Sequence, residues 1–222
     1  MMKHWYCHKG DFLRKNMYIC NLLSSNGYNE IFKMNRKIAI FCGSSIPNNP
    51  EYSTAARELG ALLAENGDTV VYGGSNLGLM GEISGAAMKN GGTVIAVIPT
   101  FFSETIINSQ PVTELIRVKS MSERKEKMIA MCDIFVALPG GIGTLDEVLE
   151  VMVANQLKQT KNADGTPLPC GKPIYLFNPD GFFDPFFVQL DKMGENGFFR
   201  SGKRPEVNDV KSLEQLMSFI NG

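Results

Sequence analysis

The segment Ile134 to Glu147, with the sequence IFVALPGGIGTLDE, joins a short apolar run to a glycine-rich turn and then to a helical pattern. The run Ile134 to Leu138 contains only apolar residues, which is typical of a strand buried on both faces of a sheet. The following residues, Gly143 to Leu157, are apolar nearly all round, which predicts a helix buried in the core or in a subunit contact. We favour a dimer contact.

The same order of strand and helix recurs on both sides of this segment. The apolar runs and helical periodicities predict strands at Lys37–Phe41, Thr69–Tyr72, Thr93–Ile98, Leu115–Val118 and Pro173–Phe177, and helices at Pro50–Asn66, Gly78–Lys89, Met121–Cys132, Phe183–Lys192 and Val210–Ile220. Continuously apolar strands that alternate with helices form a mainly parallel sheet with helices on both faces. The sequence therefore predicts a doubly wound α/β fold, in which ligands bind beyond the carboxyl ends of the strands.

Length and composition exclude several classes of protein. The chain of 222 residues suits one α/β domain, which we place at residues 35–222 because regular patterning begins at Asn35. Its formal net charge is −1, so the chain lacks the excess of basic residues that is typical of nucleic-acid-binding proteins. No apolar stretch approaches the roughly 20 residues that span a bilayer. We therefore expect neither a nucleic-acid partner nor a membrane partner.

The N-terminal segment and the cysteines bear on the cellular compartment. Residues 1–34 show no signal-peptide pattern, and we expect them to form a poorly ordered N-terminal extension. The five cysteines are scattered and form no CxxC pair, which indicates neither a disulfide framework nor a zinc site. The two histidines, His4 and His8, fall in this extension, so the predicted domain cannot build a histidine metal site. We expect a cytoplasmic protein without a metal.

The turn Pro139 to Thr144, PGGIGT, follows a predicted strand and opens a predicted helix. Backbone NH groups and the helix dipole bind anions at such a position, and glycines let the backbone approach the anion closely. The spacing matches neither the dinucleotide motif GxGxxG nor the Walker motif GxxxxGKS/T. A tight turn without a ligand is the alternative. The loops Cys42 to Ser45 and Gly73 to Gly78 also follow predicted strands and qualify as binding loops.

Two pairs of residues near these turns allow both a structural and a functional interpretation. Thr144 and Glu147 have the spacing of a capping box, whereas a carboxylate beside the loop can also hold ribose hydroxyls or stabilise a cationic sugar. Arg124 and Lys125 place cations early in a predicted helix, against the preference of its dipole. A nearby anion would explain why cations occur at this position. The glutamates that flank Arg124 and Lys125 in the segment SERKE could be that anion, in which case no ligand is needed.

Four segments, taken in order, resemble one known family: Cys42 to Ser45, Gly73 to Gly81, Ser122 to Lys125 and Pro139 to Glu147. This is the Lonely Guy (LOG) family of cytokinin riboside 5'-monophosphate phosphoribohydrolases, and the paired ERK and PGGxGTxxE motifs are specific. The resemblance implies a Rossmann-like homodimer with its site near the subunit contact. It also implies hydrolysis of nucleoside 5'-monophosphates to a free base and ribose 5-phosphate, without a metal or other cofactor.

The resemblance further implies roles for single residues. Arg124 and Glu147 would be the catalytic pair. The residues expected to contact the substrate are Lys125, Gly140, Gly141, Ile142, Gly143, Thr144, Leu145 and Asp146, with Glu104, Gly74 and Ser44 as further candidates. Val153 stands where related enzymes often carry a hydroxyl residue, and Ser122 replaces a frequent histidine. The preferred base therefore stays open between a prenylated adenine, plain adenine and another purine.

Two other functions share this architecture. Proteins that bind a nucleotide-like cofactor without cleaving it, such as molybdenum-cofactor carriers, are the second hypothesis. Arg124 together with Glu147 argues against that hypothesis. Relatives have often been labelled lysine decarboxylases, but the sequence offers no pattern for a pyridoxal-phosphate site. The favoured interpretation is a hydrolase that cleaves the N-glycosidic bond of a small nucleotide.

Overall fold

Strands and helices alternate through the described part of the chain. The computed structural model describes residues 35–102, 111–157, 171–199 and 204–222. In these ranges the strands are β1 (Lys37–Phe41), β2 (Thr69–Tyr72), β3 (Thr93–Pro99), β4 (Glu114–Val118), β5 (Ile134–Ala137), β6 (Ile174–Phe177) and β7 (Asn208–Val210). The helices are α1 (Pro50–Asn66), α2 (Gly78–Lys89), α3 (Met121–Met131), α4 (Ile142–Leu157), α5 (Asp184–Glu195) and α6 (Leu213–Asn221). The predicted extension at residues 1–34 and the candidate Glu104 lie outside the described residues.

The described strands form one parallel sheet in the order β4-β3-β2-β1-β5-β6-β7. The chain runs outward from β1 to β4, returns to the centre at β5 and then runs outward on the other side. This order confirms the predicted doubly wound α/β fold. The direction reverses between β1 and β5, which pair from Ile38 with Ile134 to Phe41 with Ala137. Such a switch point leaves a crevice at the carboxyl ends of the two strands, where ligands bind in folds of this type.

Two hydrophobic cores lie on the two faces of the sheet. Successive side chains of a strand point to opposite faces, so β1 contributes Ile38 and Ile40 to one core and Ala39 and Phe41 to the other. Helices α1, α2 and α6 pack on the first core, and helices α3, α4 and α5 pack on the second. Burial on both faces explains why the central strands are continuously apolar.

The C-terminal end differs from the sequence prediction. The predicted helix from Val210 to Ile220 is wrong in its first part, because Val210 ends strand β7 and helix α6 begins only at Leu213. The Oγ atom of Ser212 accepts a hydrogen bond from the backbone N of Gln215 at 3.2 Å and caps this helix. The three residues of β7, NDV, are too short and too polar to show a strand pattern. The other predicted strands and helices are confirmed, with ends shifted by a few residues at most.

Helix α4 has one buried and one exposed apolar face. Val148 and Val151 are at most 1% exposed and pack in the second core. Leu149, Val153 and Leu157 recur every four residues along the other face and are 41%, 50% and 49% exposed. In this single chain, therefore, only one of the two apolar faces of α4 is buried. Neither α4 nor any other helix in the described ranges is long and apolar enough to cross a membrane.

Candidate active site

A cleft of about 910 Å³ opens at the carboxyl end of the sheet, above the switch point between β1 and β5. Its walls come from the loops after β1, β2 and β5, the end of β3, the start of α3 and the turn after β6. This volume is in the range of sites that bind small molecules. The predicted site residues that line the cleft are Ser44, Arg124, Gly140, Gly141, Gly143, Thr144 and Glu147.

The glycine-rich turn after β5 packs directly against the loop after β1. The backbone N of Gly43 donates a hydrogen bond to Pro139 O at 3.2 Å. A Cβ atom at Gly140 would lie only 2.8 Å from Gly43 N, so the contact requires glycine at that position. A Cβ atom at Gly141 or at Gly143 would meet no described heavy atom within 4 Å. The start of α4 therefore has open space beside its backbone.

Thr144 is a buried residue of the cleft lining. Helix α4 begins at Ile142, so Thr144 lies inside the helix and is only 3% exposed. Its Oγ1 atom has no hydrogen-bond partner among the residues that the structure describes. This excludes a capping box as the reason for Thr144 and Glu147. A buried hydroxyl left unpaired costs about 1–3 kcal/mol, and at the start of a helix it is well placed to bind an anion.

Arg124 and Glu147 form a buried ion pair beside this turn. Nη2 of Arg124 donates a hydrogen bond to Oε1 of Glu147, which joins α3 to α4 across 23 positions of the sequence. The two residues are 7% and 3% exposed. Nε of Arg124 is buried and finds no acceptor within the described ranges. The anion that explains Arg124 is thus a carboxylate on another helix rather than a flanking glutamate.

The protonation of Glu147 is strongly affected by its position. Burial raises the pKa of Glu147 to about 7, although the charge and the hydrogen bond of Arg124 oppose this rise. Asp146 raises this pKa further and Lys125 lowers it, both by smaller effects. Shifts of this kind are frequent at functional sites. When ionised, this carboxylate can stabilise a developing positive charge in a site from which water is largely excluded.

Lys125 and Asp146, which the resemblance places in contact with the substrate, are absent from the described lining of the cleft. Nζ of Lys125 lies 3.0 Å from each of the two carboxylate oxygens of Asp146. It also lies 3.0 Å from Oε2 of Glu150. The three side chains form an ion cluster between α3 and α4, next to the pair of Arg124 and Glu147. Asp146 and Glu150 are about half exposed, whereas the side chain of Lys125 is only 14% exposed.

Three other predicted site residues lie close to the described cleft without lining it. Ile142 is 87% exposed at the start of α4. Leu145 packs against the second hydrophobic core. Gly74 has a φ of +83°, and a Cβ there would press on the side chain of Ile98 at 3.1 Å. The substrate contacts expected of these residues stay predictions.

One wall of the cleft is formed by residues that the sequence analysis did not single out. The loop after β1 contributes the segment from Ile46 to Asn49. Tyr52 and Phe182 also line the cleft, with ring centroids 6.0 Å apart in an edge-to-face arrangement. The hydroxyl of Tyr52 donates a hydrogen bond to Oδ2 of Asp180. Phe182 follows β6, at the edge of the sheet where the strands have their carboxyl ends. Because ligands bind at that edge in doubly wound folds, its position in the sequence could have indicated a role in the cleft.

Another part of the lining is mainly apolar. It consists of Met80, Ile98, Phe102 and Met121. Met80 packs in the first core as well as lining the cleft. Such a wall suits the planar, weakly polar face of a nucleobase better than a charged group.

Cys42, at the end of β1, carries the thiol group of the described cleft lining. It lines the cleft, and burial, with a smaller effect of the Glu147 charge, raises the pKa of its thiol far above the ordinary value. A protonated thiol is a poor nucleophile. No group of three or more His, Cys, Asp and Glu side chains in the described segments is arranged to hold a metal ion.

Known structures share the fold of this chain. The molybdenum cofactor binding protein from the phototrophic bacterium Rippkaea orientalis superposes with a TM-score of 0.62 at 23% identity, covering 85% of this chain and 97% of that one. The molybdenum cofactor carrier protein from Chlamydomonas reinhardtii superposes with a TM-score of 0.61 at 22% identity, covering 84% and 96%. At these identities the likeness concerns the Rossmann-like fold alone.

Sequence comparison extends further than the fold. A family model described as possible lysine decarboxylase matches residues 80–219. Cytokinin riboside 5'-monophosphate phosphoribohydrolase LOG of Oryza sativa subsp. japonica is 39% identical over 182 residues, which cover 82% of this chain and 71% of that protein. The enzyme LOG2 of Arabidopsis thaliana, which has the same descriptive name, is 37% identical over 185 residues, which cover 83% and 82%. The chain thus belongs to the LOG family of cytokinin riboside 5'-monophosphate phosphoribohydrolases.

Proposed function

We propose that this protein hydrolyses the N-glycosidic bond of a nucleoside 5'-monophosphate and releases the free base and ribose 5-phosphate. Membership of the LOG family supports this reaction class, and the names of the relatives point to a cytokinin riboside 5'-monophosphate as substrate. AMP is the second candidate. The single observation that carries the proposal to this chain is the buried pair of Arg124 and Glu147 at the edge of the cleft.

The start of α4 is the proposed phosphate site. Open space beside Gly141 and Gly143 allows an anion to reach the backbone NH groups of the first helical turn. The unpaired hydroxyl of Thr144 would donate a hydrogen bond to the same phosphate, which removes the cost of leaving it buried and unpaired. Ser44, on the facing loop, lines the cleft and is exposed towards it.

Glu147 is the proposed catalytic carboxylate. In its ionised form it would hold the ribose hydroxyls and stabilise the oxocarbenium charge that develops as the base departs. Arg124 would keep the carboxylate in place and assist the phosphate or the leaving base, since its Nε still has a free donor within the described site. A water molecule then adds its oxygen to the anomeric carbon, and its proton ends on the released base.

Product analysis tests this proposal directly. The purified full chain is incubated without added metal with isopentenyladenosine monophosphate, AMP, GMP and CMP, and free base and ribose 5-phosphate are separated by chromatography. We expect base release from at least one purine nucleotide. Glu147→Gln should lower kcat by about 100-fold or more, because it removes the charge that stabilises the transition state. The exposed Glu126→Gln on α3 is the control and should turn over normally. Full turnover by Glu147→Gln on every nucleotide would contradict the assignment.

A binding module remains the second candidate, since the fold is shared with molybdenum cofactor proteins. The buried Arg124 and Glu147 pair argues for hydrolysis instead. Tight binding of a phosphorylated pterin by folded protein, with no base released from any of the four nucleotides, would establish the binding function. Base release with weak pterin binding would exclude it.

We also propose that two copies of the chain associate through the apolar face of α4. Leu149, Val153 and Leu157 form a stripe that a second copy would cover. Light scattering of the purified protein should give the mass of a dimer, and Val153→Glu should shift it towards the monomer. We further propose a cytoplasmic protein whose catalytic domain spans residues 35–222, with residues 1–34 as an extension.

A further inference from the structure

Two layers of ion pairs connect helices α3 and α4. The inner pair consists of Arg124 and Glu147 and lies at the cleft. The outer cluster consists of Lys125, which follows Arg124 on α3, and of Asp146 and Glu150, which lie one residue before and three residues after Glu147 on α4. Each layer takes its cation from α3 and its anions from α4, so the two layers fix the position of one helix relative to the other.

The ammonium group of Lys125 is held by two carboxylates, and Lys125 is absent from the described lining of the cleft. An ammonium carries three N–H donors. Three carboxylate oxygens lie 3.0 Å from Nζ, two from Asp146 and one from Glu150. The two oxygens of one carboxylate lie too close together to take two donors, so Asp146 and Glu150 engage two of the three donors. The third donor belongs to a side chain that is only 14% exposed and does not line the described cleft. The Asp146 carboxylate is held in the same way, with both oxygens on Nζ.

We propose that Lys125 and Asp146 are positioning residues that touch no substrate and that hold α3 against α4 so that Arg124 meets Glu147. This inference departs from the substrate contact implied by the family resemblance. It rests on the proposed function only where activity is measured.

The outer cluster also controls the charge around Glu147. The groups that face this carboxyl are Arg124 and Lys125 from α3, Asp146 from α4 and the neutral thiol of Cys42 at the end of β1. Loss of Lys125 removes a cation and leaves the neighbouring carboxylates unneutralised, so the pKa of Glu147 should rise. Loss of the Asp146 charge should lower it. Because Asp146 is half exposed, solvent screening limits each shift to about half a pH unit to one unit.

Three variants of the full chain separate positioning from substrate binding. Lys125→Met removes the charge, Lys125→Arg keeps it and can still pair with carboxylates, and Asp146→Asn removes the opposite charge. The exposed Lys127→Met on the same helix is the matched control. Each protein is titrated by NMR with ¹³C-labelled glutamate, and the Glu147 signal is identified by its loss in Glu147→Gln. Binding of ribose 5-phosphate is measured by calorimetry, and kcat by base release.

We expect Lys125→Met to lower kcat about tenfold at neutral pH and to move the Glu147 titration to higher pH. Its affinity for ribose 5-phosphate should stay within about twofold of the parent protein. Lys125→Arg should restore most of kcat, Asp146→Asn should move the titration to lower pH, and Lys127→Met should change nothing. These fold-changes correspond to about 1.4 kcal/mol for each factor of ten.

Two results would overturn the inference. One is a loss of ribose 5-phosphate affinity of about tenfold in Lys125→Met with an unmoved Glu147 titration, which would make Lys125 a substrate ligand. The other is an unmoved titration in both Lys125→Met and Asp146→Asn. This second result would overturn the inference even if the parent protein released no base, because the titration of Glu147 can be measured without turnover. A parent protein without base release would refute the proposed function alone.

Discussion

The loops after β2 and β5 are both rich in glycine, but the space around two glycines of the β5 loop differs from that around the β2 glycines. In the β2 loop, Gly78 has a φ of +58°, and a Cβ there would lie 2.5 Å from backbone atoms of the β1 loop. A Cβ at Gly81 would collide with the carbonyl oxygen of Asn76. In the β5 loop, a Cβ at Gly141 or Gly143 would meet no described heavy atom within 4 Å. The first loop needs glycine to fold, whereas these two positions of the second leave room for a ligand.

The two loops also differ in the residues that follow them. The β2 loop and the first turn of its helix, Gly73 to Gly81, contain no ionisable side chain. The second turn of α4, after the β5 loop, carries Asp146 and the cleft residue Glu147. The second turn of α2 carries Glu82, which pairs with Arg57 at 3.0 Å and does not line the described cleft. A glycine-rich turn at a strand end therefore does not identify a reactive site by itself. The open space beside Gly141 and Gly143, together with the carboxyl group of Glu147, distinguishes the β5 loop from the β2 loop.

Gly81→Ala should have the largest effect, and it tests the structural half of the comparison. The new methyl group would push on the carbonyl group of Asn76, which cannot move without distorting the turn. We expect the free energy of unfolding to fall by about 3 kcal/mol, at the upper end of overpacking effects. Urea denaturation measures this loss, with Gly141→Ala as the matched control. Equal stability of the two variants would break the comparison.

The pH dependence of turnover tests the chemical half. If ionised Glu147 is required, kcat should fall about tenfold for each pH unit below about 7. Stability should show the opposite trend. The folded pKa exceeds the ordinary value of 4.5, so the contribution of this group to stability is greatest below pH 4.5 and is lost as pH rises through 7. Activity profiles and denaturation from pH 5 to 9 measure both trends. An activity profile that is flat from pH 5 to 7 would refute this role.

Gly143→Ala should affect binding without affecting folding. The new methyl group points into open space at the start of α4, so stability should be unchanged or about 0.5–1 kcal/mol higher, as for glycine replacements in helices. The affinity for ribose 5-phosphate should fall about tenfold, because the methyl group occupies the space through which the phosphate approaches the backbone. Calorimetry and urea denaturation of the same preparation separate the two effects. Unchanged affinity would place the phosphate elsewhere.

Thr144→Val should give the smallest change and sharpen the comparison at a single atom. Valine has nearly the shape of threonine and removes the buried hydroxyl that lacks a partner in the described site. Stability should rise by about 1 kcal/mol, whereas affinity for ribose 5-phosphate should fall about fivefold through loss of one hydrogen bond. A variant that lost stability and kept its affinity would show that the hydroxyl serves the fold.

Several parts of the fold could be predicted from sequence because local signals coincide there. Helix α1 ends at Asn66 as expected, since Gly67 adopts the left-handed conformation with a φ of 79°. The bounds of strand β1 were predicted exactly for a similar reason, because its apolar run stops at a turn. Strand β7 was missed because it is short, polar and at the edge of the sheet. Its pairing with β6, rather than any property of its own sequence, makes it a strand.

The candidate site was predicted in part. The resemblance to the family motifs singled out Arg124 and Glu147. Their spacing in the sequence could not show that they form an ion pair, because they meet only when α3 packs on α4. For the same reason the sequence could not show that Lys125 pairs with both Asp146 and Glu150. The cleft wall at Phe182 belongs to an exposed turn, where side chains follow no periodicity.

The strand order has a consequence for how this protein folds. The contact that closes the switch point brings together Lys37 and Asp133, which are 96 positions apart in the chain. Long loops are costly to close, and contacts between distant residues slow folding. The first four strands can assemble with their neighbours in sequence, but β5 must find β1 across all of them. We therefore expect the cleft to form late in folding, so that newly made chains gain secondary structure well before they can bind a nucleotide.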